Sequence, residues 1–198
     1  EGLIASSCCI GAEIPQAILH GKLDKAETLL RWWLDLFGED YYIELQRHRN
    51  MEDIDGLGMS QEDVNQHLLR LAEKYNVKVI CTNDSHYLEE EDWRPLDVLL
   101  CVNTKSLIEQ QDRFRFPSSD FYFKTQDEMN RLFHDVPQAV DFTMELYDKV
   151  ETLQLARDVL LPAFPLPEGF ATLDEYLRHL TFEGARKRYG TITPEIEE

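Results

Sequence analysis

Asp84 and His86 are the residues whose types and spacing are best suited to chemistry. They follow an apolar, β-branched run over residues 79–82, which is typical of a buried parallel strand that delivers polar side chains to the mouth of a site. Being two residues apart, they point the same way in extended backbone and can bind one metal ion. The alternative is that residues 83–85 form only a turn and that His86 is a packed side chain.

Cys8 and Cys9 form a second candidate group, just before a predicted short helix. Amide dipoles at a helix N-terminus lower the pKa of a thiol, which suits it as a nucleophile or a metal ligand. For either cysteine the alternative is a small buried hydrophobe. A Cys9–His86 nucleophile pair is less favoured than a metal site, because nothing in the chain orients it and Asp84 lies beside the histidine. Cys81 and Cys101 are interpreted as packed thiols.

Helices and strands alternate around these residues. Apolar spacing, caps and turn residues predict helices over 13–22, 24–37 and 60–76, and strands over 41–46 and 77–82. Asp24 with Glu27 is expected to cap the second helix, and Ser60 starts the third, which suits an end at Asn76.

The two predicted strands with the helix between them make a βαβ unit, so they are expected to be parallel. Both strands then end on the same edge of the sheet. That arrangement places His48, just after the first strand, near Asp84 and His86 on the edge where α/β folds keep their chemistry.

From residue 92 onward the pattern becomes helical, with further helices expected after Thr125 and Pro137. The proline-rich stretch 161–171 predicts an extended linker, because three prolines at 162, 165 and 167 exclude a helix. A last helix is expected from Thr172. We therefore assign residues 1–160 to one domain and residues 172–198 to the start of another.

The 198 residues carry 38 acidic and 20 basic side chains, a formal net charge of -18. Binding of nucleic acid depends on Lys and Arg replacing counterions at phosphates, so this segment is not expected to grip a duplex. The sequence contains no apolar run near the ~20 residues of a membrane span. Four cysteines do not make a disulfide framework in a chain of this length, and we expect reduced thiols and a cytoplasmic location.

The chain starts with Glu1 rather than Met, and residues 194–198 show no obvious terminal element. Both ends therefore suggest an excerpt from a longer protein.

Several segments occur in an order that is specific to one family. They are GLIASSCCIGAEIPQA (2–17), YIELQ (42–46), TNDSHYL (82–88), DVLLC (97–101), FYFK (121–124) and the proline-rich LPAFPLPEG (161–169), followed by EYLR (175–178) and RYG (188–190). This set resembles the PHP (polymerase and histidinol phosphatase) region of bacterial replicative DNA polymerase III alpha subunits. The resemblance covers nearly the whole chain.

The resemblance implies part of a distorted (β/α)7-type barrel with a metal site at the carboxyl ends of its strands, in which Cys9, Asp84 and His86 are ligands for Zn, Mn or Fe. Cys8 stands where the family usually has a small residue. The family's other ligands, beginning with a His-x-His motif, lie upstream of residue 1. The residues that bind Mg for polymerisation lie downstream of residue 198, so we expect the chain alone to be inactive as a polymerase.

The resemblance leaves two roles open for this segment. One is a metal-dependent phosphoesterase, either a 3′–5′ exonuclease or a pyrophosphatase. The other is a structural module that docks the proofreading exonuclease subunit. The parent protein would use a DNA primer-template and dNTPs together with the sliding clamp of the replicase. The less related alternative is a stand-alone PHP phosphatase.

Overall fold

Three short parallel strands organise the first part of the chain in the computed structural model, which describes residues 2–152, 156, 159–160 and 162–197. They are β1 (Ala5–Ser6), β2 (Tyr41–Leu45) and β3 (Val79–Cys81), in the order β1-β2-β3. Both pairs are parallel, with Ser6 opposite Tyr42 and Leu45 opposite Cys81. The predicted βαβ unit of β2 and β3 is confirmed.

The chain divides into two compact units, Glu1–Glu151 and Thr152–Glu198. The helices of the first unit are α1 (Glu13–Leu19), α2 (Leu23–Phe37), α3 (Gln61–Tyr75), α4 (Trp93–Thr104), α5 (Gln126–Leu132) and α6 (Pro137–Lys149). Helix and parallel sheet together confirm the α/β class. The complete (β/α)7 barrel remains a prediction.

Local sequence explains several helix boundaries. Ser60 caps α3 by accepting a hydrogen bond from Asp63 N, and the Asp63 carboxylate accepts one from Ser60 N in return. Asn76 ends the same helix in the left-handed conformation, with φ of 53°, which asparagine tolerates better than most residues. Thr125 makes the equivalent cap for α5.

The expected cap at Asp24 is wrong. Helix α2 begins one residue earlier, after Lys22, whose side chain makes no capping hydrogen bond. Glu27 instead accepts hydrogen bonds from Lys74 and Tyr75 of α3. Glu27 therefore forms an ion pair with a neighbouring helix, although the sequence predicted that it would cap the start of α2.

Other elements also differ from the prediction, and β3 begins at Val79 rather than at residue 77 and ends at Cys81 rather than at residue 82. Helix α1 ends at Leu19 rather than at residue 22, because Gly21 adopts a positive φ of 68° and turns the chain. Strand β1 was not predicted at all. It has two residues, Ala and Ser, neither of which favours a strand, so only its pairing with β2 defines it.

The core lies between one face of the sheet and the helices. Side chains alternate along β2, so Ile43 and Leu45 face this core while Glu44 lies on the opposite face. The other core residues are apolar and buried, and include Ile14 and Ile18 of α1, Leu30 of α2, Val64 and Leu68 of α3, Val79 and Cys81 of β3, Phe133, and Ala139 of α6.

The second unit contains α7 (Leu173–Tyr189) and the single turn α8 (Pro194–Glu197). Thr172 caps α7 as expected, by accepting a hydrogen bond from Glu175 N. The expectation of no element at residues 194–198 is wrong, since proline at the first position favours α8. Residues 162–167 of the predicted linker are neither helix nor strand; Leu161, and residues 153–155 and 157–158 of the predicted first domain, lie outside the described residues.

Among the residues that the structure describes, none of the helices combines the length and apolar character needed to cross a membrane.

Arg47, just after β2, is the most completely bonded cation of the first unit. Its side chain is only 15% exposed and makes two hydrogen bonds to each of two carboxylates, Glu62 of α3 and Asp135 before α6. A further N–H donates to Leu132 O of α5 at 2.8 Å. All five guanidinium donors therefore have an acceptor, and the residue joins the sheet edge to three helical segments.

Replacing Arg47 with alanine is expected to lower the free energy of unfolding of the chain by about 2 kcal/mol. The substitution leaves Leu132 O without this donor and removes the cation between two carboxylates. Urea unfolding followed by tryptophan fluorescence measures the effect. The control is Arg70→Ala, at an exposed position on α3, for which we expect less than about 0.5 kcal/mol. Equal losses in the two variants would contradict the assigned role of Arg47.

The same ion pair predicts an acid-sensitive contribution to stability. The hydrogen bonds that Arg47 donates to Asp135 lower the pKa of Asp135 to about 2, below the ordinary value of 3.8. The stabilisation is therefore complete above about pH 4 and is lost as the pH falls through about 2. Asp135→Asn is expected to flatten the fall of the urea midpoint in this range. Asp127→Asn, at an exposed position in α5, should leave that fall unchanged.

Candidate metal centre

The carboxyl ends of the three parallel strands meet at one edge of the sheet. Cys9 follows β1, His48 follows β2, and Asp84 with His86 follows β3. The predicted neighbourhood of His48 is confirmed, because its Nε2 lies 3.0 Å from Asn83 O. The loops that carry the candidate ligands therefore share one rim.

Asp84 and His86 lie side by side on this rim. His86 Nε2 is 3.3 Å from Asp84 Oδ1, and the two side chains are 41% and 38% exposed. Asp84 has a positive φ of 48°, a conformation that costs energy for a residue with a side chain and that is found at functional sites. The pair presents an imidazole nitrogen and a carboxylate oxygen to the same region of solvent.

Aromatic rings and a backbone hydrogen bond hold His86 in place. Its N–H donates to Phe121 O at 2.7 Å. Its ring lies 4.6 Å from the ring of Phe116 and 6.1 Å from that of Phe121, measured between centroids. The histidine is thus oriented by segment 116–121, which reaches the rim from beyond α4.

Asn83 attaches the same segment to the end of β3. Its Nδ2 donates to Asp120 O at 2.7 Å and to Tyr122 O at 2.8 Å, and the residue is 7% exposed. Within the described part of the chain, Asn83 Oδ1 is buried without a hydrogen-bond partner. The backbone just before Asp84 is therefore fixed from one side.

Asp120 anchors this segment through charge. Its carboxylate accepts hydrogen bonds from Arg49 N at 2.6 Å and from Arg49 Nε at 2.8 Å, and Lys124 Nζ lies 3.6 Å away. Burial raises the pKa of Asp120, but the bonds from Arg49 and the charge of Lys124 outweigh it, so the pKa lies below its ordinary value. Burial lowers the pKa of Lys124.

His48 lies at the rim, but both of its ring nitrogens have hydrogen-bond partners. Its ring stacks on Phe121 with centroids 4.1 Å apart. Nε2 contacts Asn83 O, and Nδ1 lies 3.2 Å from Gln61 Nε2, so one neutral tautomer satisfies both partners. Burial lowers the pKa of His48, which favours that neutral form. His48 is a structural residue of the rim and has no free nitrogen for a metal.

Cys9 follows β1, whereas Asp84 and His86 follow β3, so the central strand β2 lies between them. It is half-buried and lines a small cleft together with Glu44 and Asn65. Because β2 separates β1 from β3, the two strand ends are about 10 Å apart at the usual strand spacing. Within the described ranges, no group of three or more His, Cys, Asp or Glu side chains is arranged to hold a metal ion. The structure therefore brings Asp84 and His86 together and leaves Cys9 apart.

The donor types nevertheless suit a divalent ion. A thiolate, a carboxylate and an imidazole are ligands that zinc and iron accept in proteins. The chemistry of the set fits the expected site, and its geometry supplies one adjacent pair with a third donor across the sheet.

The expected lowering of the thiol pKa is wrong for Cys8. Helix α1 begins only at Glu13, so Cys8 is not at a helix N-terminus. Burial raises the pKa of the Cys8 thiol, and the charge of Glu44 acts in the same direction, although a hydrogen bond with the Cys9 backbone opposes them. Cys81 and Cys101 are buried as expected, and burial raises the pKa of Cys81 to about 11.

Sequence reasoning missed Glu44 and the pair Asp120–Arg49. The sequence could have indicated Glu44, because it is the one charged residue in the strand Tyr41–Leu45. No local pattern indicates Asp120, because its partner Arg49 is 71 positions away along the chain.

Residues 1–48, which carry Cys9 and strands β1 and β2, match the PHP domain family. Over its whole length the chain is similar to the DNA polymerase III subunit alpha of Borreliella burgdorferi, with 36% identity over 200 residues. The subunit of Thermus aquaticus is 42% identical over 201 residues and 96% of this chain. That of Treponema pallidum is 33% identical over 199 residues and 100% of this chain.

The resemblance predicted from the motifs is confirmed: the chain is similar along its whole length to bacterial DNA polymerase III alpha subunits, and its first 48 residues match the PHP domain family. It spans 17%, 15% and 16% of the length of the three relatives named above.

Asn83→Ala tests how strongly the rim depends on its buried attachment. The change removes two hydrogen bonds, so we expect the free energy of unfolding of the chain to fall by about 2 kcal/mol. Urea unfolding measures it beside Asn103→Ala, an exposed position on α4. A loss no larger than that of the control would show that Asn83 does not hold segment 116–122 to the strand end.

Proposed function

We propose that this chain is part of the PHP domain of a replicative DNA polymerase alpha subunit, and that Cys9, Asp84 and His86 contribute to a metal site there. The observation that carries the proposal is the shared rim, since all three residues follow parallel strands at the same edge of one sheet. Family resemblance supplies the expectation that the remaining ligands come from upstream of residue 1.

Asp84 and His86 would bind the ion as an adjacent pair, and Cys9 would contribute from the opposite side. The donor set suits Zn, Mn or Fe. A bound divalent ion would supply Lewis-acid stabilisation of phosphate and a more acidic water molecule. Segment 116–121 orients His86 through Phe116 and Phe121, so the chain's own contribution is to hold the imidazole and carboxylate at fixed positions.

The first function that this site supports is a metal-dependent phosphoesterase, acting as a 3′–5′ exonuclease or a pyrophosphatase. The supporting observation is that Asp84 and His86 are partly exposed at the mouth of the rim. A purely structural ion pair gains little at such exposure, whereas a ligand pair needs access.

A second function is favoured by the charge of the chain. A formal net charge of -18 opposes close approach of a DNA backbone. It fits instead a structural module that docks the separate proofreading exonuclease subunit. In that case the metal is absent or incidental.

The parent protein would extend a DNA primer on a template with dNTPs, using Mg bound outside this chain and working with the sliding clamp. Similarity to alpha subunits along all of the chain supports this over a stand-alone PHP phosphatase. The three parallel strands and the isolated parallel bridge between Tyr87 and Tyr122 are compatible with part of a (β/α)7-type barrel.

The proposal is tested by the metal content of the full-length polymerase, measured by elemental mass spectrometry. We expect Zn, Mn or Fe in the unmodified protein and its loss in the Cys9→Ala/His86→Ala double variant. His20→Ala, at an exposed position after α1, is the control and should keep the metal.

Primer extension and release of 3′ nucleotides are measured on the same samples. Loss of nucleotide release with retained primer extension would support the phosphoesterase, whereas reduced binding of the proofreading subunit alone would support docking. Equal metal content in the double variant and the unmodified protein would contradict the site.

A further inference from the structure

Glu44 is a charged residue in the middle of the sheet. It is half-buried in β2, between the fully buried Ile43 and Leu45, and its side chain leaves the sheet on the face away from the main core. Placing a carboxylate there costs energy unless hydrogen bonds compensate it. The position therefore requires an explanation.

The Glu44 carboxylate joins all three strands. Oε2 accepts a hydrogen bond from Ser6 Oγ of β1 at 2.6 Å, and Oε1 accepts one from Thr82 Oγ1, just after β3, also at 2.6 Å. Gln46 Nε2 lies 3.1 Å from the same Oε1 and 3.1 Å from Thr82 Oγ1. Both carboxylate oxygens are occupied by protein donors.

Toward β1, these hydrogen bonds lead to the loop that carries Cys8 and Cys9. Ser6 Oγ accepts a hydrogen bond from Cys8 N at 3.2 Å, and Ser7 Oγ accepts one from Glu44 N at 2.9 Å. Strand β1 is only two residues long, so its backbone ladder is minimal. Side-chain bonds to Glu44 therefore make up much of what holds this loop to the sheet.

Toward β3, they lead to the loop that carries Asp84 and His86. Thr82 precedes Asp84 by two residues, and Asn83 between them is fixed by its bonds to segment 120–122. The Glu44 carboxylate thus spans the gap between the two loops that carry the proposed ligands. Shifting either loop would break a 2.6 Å hydrogen bond.

We infer that Glu44 is a positioning residue that sets the separation between Cys9 and the Asp84–His86 pair. The inference rests on the proposed metal site. Glu44 is assigned this role through Ser6 and Thr82, because its two oxygens accept hydrogen bonds from both neighbouring strands. Groups that orient metal ligands in this way commonly change metal affinity by 10- to 100-fold when they are replaced.

The test is Co²⁺ binding by the full-length protein, followed by the absorption band that arises when a cysteine thiolate binds cobalt. Glu44→Gln keeps the shape of the side chain but replaces one acceptor oxygen with a donor. We expect about tenfold weaker Co²⁺ binding and a weaker thiolate band. Glu145→Gln is the matched control, since Glu145 accepts bonds from Lys78 and Tyr42 and does not contact either ligand loop.

A substitution that only destabilised the fold would lower the urea midpoint without changing the thiolate band of the folded protein. Ser6→Ala removes a single donor and decides the matter if Glu44→Gln fails to fold, with the same weakened band expected. An unchanged affinity and band in both variants would overturn the positioning role and leave the metal site standing. Absence of a thiolate band in the unmodified protein would overturn the role of Cys9 and this inference with it.

Discussion

The parallel pairing of β1, β2 and β3 is the constraint on which the rest of the structure depends. It places the ends of all three strands at one edge, although paired residues of neighbouring strands, such as Ala5 with Tyr41 and Ile43 with Val79, are 36 positions apart in the sequence. Slipping the register by one residue would turn Glu44 into the apolar core and Ile43 out of it. The burial pattern of β2 therefore fixes the register, and the register fixes which loops meet at the rim.

The loop after β2 then secures the rim in two directions. Arg47 reaches Glu62 and Asp135 on the helical side, while Arg49 reaches Asp120 and Glu90 on the side of segment 116–121. In a chain with a net charge of -18, these two arginines neutralise carboxylates that would otherwise repel one another. His48 lies between them and is neutral, so it adds no further charge to the rim.

Features set by neighbouring residues were predictable from the sequence, and features set by distant partners were not. The caps at Ser60 and Thr125 and the βαβ unit follow from local patterns and were correct. Strand β1 exists only through pairing with β2, and Glu27 serves α3 rather than its own helix. At the site, Asp84 and His86 are adjacent as expected, but the extended backbone from which their spacing predicted this is wrong, because Asp84 has a positive φ of 48°. The distance to Cys9 depends on strand order. No local pattern reports that β2 lies between β1 and β3.

That strand order has a consequence for the proposed metal site. Strand ends about 10 Å apart can share one ion, through direct bonds of about 2 Å, only where the loops that follow them lean toward each other. Glu44 and Asn83 fix where these loops lie, because each holds a ligand loop by short hydrogen bonds. Under the proposal, ligands in addition to these three would fill the space between the two loops. The geometry of the rim thus favours a site completed by side chains outside this chain over one formed by its own three donors.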